Sequence, residues 1–77
     1  QLRRAEKSLA ATEREIAETE AAIAAMPARL EAVATDPDAL MPLYDEQAAL
    51  EERLAALYER WEKESTLLEA INAGGKQ

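Results

Sequence analysis

Arg3, Arg4, Lys7, Arg14, Arg60 and Lys63 are the side chains of this sequence best suited to chemistry with another molecule. Cations spaced along a helix meet phosphates, so the set is a candidate nucleic-acid-binding stripe. Its bland counterpart is an ordinary solubilising helix surface, which the spacing alone favours. Carboxylate pairs such as Glu13 with Glu15, or Glu51 with Glu52, raise general acid/base work or metal binding. Side chains one or two positions apart on a helix do not converge on one ligand, so these read as solvated faces. Trp61 would stack on a base only if exposed. Its place on an apolar ladder assigns it to packing, with Tyr44 and Tyr58 beside the ladder as half-buried rings.

Much chemistry is excluded by composition. The chain has no His and no Cys, which removes imidazole, thiol and most zinc chemistry. Its two glycines lie together near the end, so no Gly-rich phosphate loop exists. The expectation is a chain with no catalytic residue, no metal site and no cofactor of its own. No apolar run approaches the roughly 20 residues that span a bilayer, and no signal peptide is visible. A cytoplasmic location with no membrane partner is expected. The start at Gln1 rather than Met suits a fragment of a longer protein.

The net charge is −7, which opposes general affinity for nucleic acid. Its distribution is uneven. Of the nine Lys and Arg, all but Arg29 and Arg53 lie in residues 1–20 and 54–77, Lys76 included. The middle of the chain sets those two against Glu31, Asp36, Asp38, Asp45, Glu46, Glu51 and Glu52.

The elements that must position these groups are two heptad ladders. The first is Leu2, Ala5, Leu9, Thr12, Ile16, Thr19, Ile23, Met26, Leu30, Val33. The second is Leu40, Leu43, Gln47, Leu50, Leu54, Leu57, Trp61, Glu64, Leu68, Ile71. Both step by 3 and 4, the spacing of a coiled-coil seam. Folding at Asp36-Pro37 pairs them so that partner numbers sum to 73, as for Thr12 with Trp61. The fold class is therefore all-α: an antiparallel two-helix coiled-coil hairpin. Helix 1 should cover about residues 2–34, the turn 35–38, helix 2 about 38–72, with a flexible tail at 73–77 behind Gly74-Gly75. The cations then gather at the open end, the stem, and the acids at the tip.

Three details are open at this level. Pro27 either kinks helix 1 or breaks off residues 27–34; the unbroken phase of the ladder supports a kink. Pro42, one turn into helix 2, would divide a short opening turn (37–41) from the main helix, which would restart there. Glu64 opposite Leu9 is the worst layer, and a slight rotation would bring Leu67 or Ser65 inward. A seam diluted by Ala, Thr, Gln and Glu is thin, and the hairpin should gain from packing against something else.

The run Leu50-Glu51-Glu52-Arg53-Leu54-Ala55-Ala56-Leu57-Tyr58-Glu59-Arg60-Trp61-Glu62 resembles the C-terminal coiled-coil domain of ABC-F ATP-binding cassette proteins. Asp36-Pro37 looks like that family's hairpin turn. The ending Leu68-Glu69-Ala70-Ile71-Asn72-Ala73-Gly74-Gly75 is similar to the Uup-like branch. The tip is short and lacks the aromatic often found after the turn. The resemblance implies a longer parent with two ATP-binding domains and no membrane domain, an ATPase acting on ribosomes or nucleic acid. It implies DNA or ribosomal RNA as partners through Arg3, Arg4, Lys7, Arg14, Arg60 and Lys63, beside the ATPase domains of the same chain. ATP would be the parent's cofactor.

Two other readings follow from the architecture. One is an arm that positions an ATPase, on the ribosome or otherwise, with no nucleic-acid contact; swapping helices between chains would also give a homodimer. The other is a tRNA-binding arm of a synthetase, which shares the shape but is usually more basic.

Overall fold

In the computed structural model, which describes residues 1–75, the chain reverses once and zips onto itself. Helix α1 runs Leu2–Ala32 and α2 runs Pro37–Gly75. Together they form an all-α hairpin measuring 63 × 14 × 13 Å. Among the described residues no helix is long and apolar enough to cross a membrane.

The reversal is built from local chemistry. Asp36 caps α2: its carboxylate accepts from the Ala39 N–H at 3.3 Å, and its carbonyl accepts from Leu40 N at 3.0 Å. Pro37 occupies the first helical position, where a missing N–H costs nothing, and Asp38 sits in the positively polarised first turn. Helix α1 stops at Ala32, two residues before the expected end, because Val33 leaves helical geometry (φ −122°, ψ 25°). Asp36 N then bonds back to Val33 O at 2.9 Å and tightens the turn.

Neither internal proline breaks its helix. Pro27 lies within α1 and Pro42 within α2, both elements continuous. A proline forfeits one ladder bond, and the apolar seam on either side holds the phase. The far end also differs from expectation. Helix α2 continues through Gly75, past the expected end at Asn72 and through the first part of the expected flexible tail. A glycine ends a helix by adopting the left-handed conformation, and among the described residues no glycine has positive φ. Lys76 and Gln77, the rest of that tail, lie outside the described residues.

The ladders form the seam. Ala5, Thr12, Ile16, Thr19, Met26 and Leu57 are buried, and every other ladder residue except Leu2 is half-buried. The accessible surface is 5817 Å², against about 4,700 Å² for a compact monomer of this mass. One seam cannot hide more, and most leucines keep part of their surface wet.

Glu64 stays half-buried in the seam beside a half-buried Ser65, and Leu67 remains 56% exposed, so Leu67 does not turn inward. The reason is satisfaction of the carboxylate. Ser8 and Thr12 both donate hydroxyls to it from α1. Burial pushes the Glu64 carboxyl up, but these donors and the nearby Arg60 guanidinium together hold it below the ordinary glutamate value.

The two flanks of the seam differ. On one, Arg29 forks onto Glu46 at 2.6 and 3.0 Å, and Glu15 accepts from both Arg53 (2.9 Å) and Arg60. On the other, carboxylates of α1 accept from rings of α2: Glu20 from the Tyr58 hydroxyl at 2.7 Å, and Glu13 from Trp61 Nε1 at 3.1 Å. Trp61 is thus half-buried with its indole N–H engaged. Tyr44 and Tyr58 are not half-buried as expected but exposed, 55% and 44%. The thin seam leaves no second layer to cover them.

Candidate nucleic-acid interface

The six candidate cations are all exposed, and the hairpin sorts them onto different surfaces. Arg3, Lys7 and Arg14 are spaced by four and seven residues, which puts them on one ridge of α1 turned away from the seam. The ridge spans twelve residues, about 16 Å at the α-helical rise. Ala10 and Ala17, both exposed, fill the positions between and beyond these cations, while the exposed Glu6 and Glu18 stand one turn from Arg3 and Arg14.

Arg4 lies to one side of the ridge, toward the flank carrying the ion pairs. Lys63 occupies the corresponding outer position on α2. Neither these two nor the three ridge cations form a salt bridge among the described residues.

Arg60 is different. Its Nε donates to Thr12 Oγ1 at 3.1 Å and its guanidinium pairs with Glu15. It belongs to the cross-helix network, and any phosphate contact would compete with those bonds. Along the chain Arg60 is indistinguishable from the other cations because Glu15 is 45 residues away; the pairing exists only once α2 folds back.

No group of His, Cys, Asp or Glu that could hold a metal ion occurs among the described residues. Carboxylates that looked paired in sequence are separated by their partners: Glu13 goes to Trp61 and Glu15 to the arginines. The surface offers positive charge at the stem; the exposed Tyr58 ring lies on the opposite flank, with its hydroxyl held by Glu20.

Such a molecule is a slender helical arm. Comparison by family gives the arm its place: the chain belongs to the ABC transporter C-terminal domain family, whose model matches residues 2–64. It is thus the C-terminal domain of an ABC transporter-type protein. Neither the curated proteins nor the solved structures include a match to this chain.

Proposed function

We propose that this chain is the C-terminal arm of a Uup-like member of the ABC-F branch, and that its stem contributes to DNA or other nucleic-acid binding by an ATPase parent. The observation that carries this reading is the ridge Arg3–Lys7–Arg14. These are exposed cations in helical register, free of salt bridges among the described residues. Arg4 and Lys63 add charge beside the ridge. The contact is to backbone phosphates, the groups that exposed cations spaced along a helix meet first. Its preference would be for nucleic-acid shape over sequence.

The test is a titration of labelled duplex and branched DNA at low salt. Charge reversal of Arg3, Lys7 and Arg14 together should abolish binding, while reversal of Arg29 and Arg53 near the tip should not. Unchanged affinity in the triple variant would reject the stem assignment.

A second reading is a spacer that positions the ATPase or mediates dimerisation without touching nucleic acid. The thin seam and acidic tip favour it. Deleting the arm would then change ATP turnover or ribosome association and leave the parent's DNA affinity intact.

A further inference from the structure

Along the ion-paired flank, the charged side chains of α1 are matched by side chains of α2: Arg29 with Glu46, and Glu15 with Arg53 and Arg60, with Ala22 between them. The pattern fails at the last step before the open end. There Ser8 stands where a long residue would be needed, and the seventh residue after Arg60 is Leu67. Ser8 is short and donates to Glu64, so it covers nothing. The result is a groove of about 290 Å³ lined by Gln1, Arg4, Ala5, Ser8, Leu67 and Ile71. Leu67 is 56% exposed in a position where its neighbours along the flank are charged and paired.

The rim of this groove carries one sign of charge. Arg4 lines it, and Lys63 is one helical turn before Leu67 on the same side of α2. Neither has a salt-bridge partner among the described residues. The remaining positions on that side of the stem are Gln, Ser, Ala and Gly, and the nearest acid, Glu64, is already engaged with Ser8 and Thr12. An apolar floor with a purely cationic rim is complementary to an apolar side chain flanked by carboxylates.

From this juxtaposition we infer that the stem groove is a docking site for an acidic protein segment. A bulky apolar residue of that segment enters against Leu67 and Ile71, and its flanking carboxylates meet Arg4 and Lys63. The site is separate from the Arg3–Lys7–Arg14 ridge and does not depend on the nucleic-acid reading.

The experiment is fluorescence anisotropy with a short fluorescein-labelled peptide in which one Trp is flanked by Glu on both sides. Leu67→Ala and Arg4→Glu should each weaken binding about tenfold. Arg3→Glu with Lys7→Glu should leave it unchanged, and a peptide with Lys in place of Glu should not bind. Leu67 and Arg4 are both exposed, and circular dichroism checks that both variants remain helical. Absence of binding overturns the inference. So does equal binding of a peptide with its Trp replaced by Ala, or an unaffected Leu67→Ala variant. Either would mean attraction of the stem for any polyanion, the property expected of a nucleic-acid surface alone.

Discussion

Thr12 on α1 donates its hydroxyl to the Glu64 carboxylate on α2, across the layer where the second ladder carries an acid. The Thr12 hydroxyl also lies 3.1 Å from the Ser8 carbonyl oxygen, an alternative acceptor for its single proton. Thr12 is 1% exposed and still has no unmet hydrogen bond. A seam position that looks wrong for a coiled coil is thereby made tolerable, at the cost of holding a charge half-buried.

Glu64→Leu should therefore stabilise the hairpin by about 1 kcal/mol, since a well-packed apolar residue usually outperforms a satisfied buried charge. Thr12 would turn its hydroxyl to the Ser8 carbonyl and the exposed Ser8 hydroxyl would donate to water, so no buried donor is orphaned. Thermal denaturation of the two proteins at neutral pH checks this; a lower midpoint in the variant contradicts it.

Acid should loosen the same layer. The folded value of Glu64 lies below its ordinary 4.5, so its contribution is present above pH 4.5 and is lost as pH falls through the lower folded value. Glu46, held down chiefly by its hydrogen bond from Arg29, acts in the same direction. Urea midpoints measured from neutral to acid pH should fall in the wild type and fall less steeply in Glu64→Leu.

Alkali tests the opposite flank. The Tyr58 hydroxyl donates to Glu20, and that bond holds its phenol above the ordinary 10.0. A raised folded value means the contribution is fully present below pH 10.0 and is lost as pH rises through the folded value. Ultraviolet titration should place Tyr58 in a Tyr44→Phe background above 10.0, and Glu20→Ala should bring it down.

Met26 is the most completely buried side chain of the seam, at 0% exposure, one residue before Pro27. Met26→Ala should cost about 2–4 kcal/mol, because the flanking helices cannot collapse onto the lost volume without shifting the turn. In a hairpin this thin that loss should unfold much of the population at 37 °C, read as lost ellipticity at 222 nm.

If the ridge binds DNA through Arg3, Lys7 and Arg14, the logarithm of affinity should fall with the logarithm of salt at a slope of about −2.7. Arg14→Ala should make the slope shallower by about 0.9. A salt-independent affinity would remove phosphate contact from consideration.

Heptad spacing, an Asp-Pro turn and the absence of His and Cys were sufficient to read the two helices, the direction reversal and the seam. The reason is that burial in a hairpin follows a one-dimensional rule: each third or fourth residue faces the partner. Ala5, Thr12, Ile16, Thr19, Met26 and Leu57, all on the ladders, are the buried set. Helix ends were less legible. Ala32 and Gly75 as termini depend on backbone geometry that several residue types can adopt, and a glycine permits a stop without enforcing one.

Composition and order alone determined that the chain is a helical arm with charge polarised toward its two ends. Which charges are available to a partner was decided by tertiary structure. Arg60 is occupied by Glu15 and Thr12, and Leu67 is uncovered because Ser8 stands opposite it. Such facts concern pairs far apart along the chain. A side chain's partner depends on its reach and rotamer across the seam, and neither is written in heptad spacing.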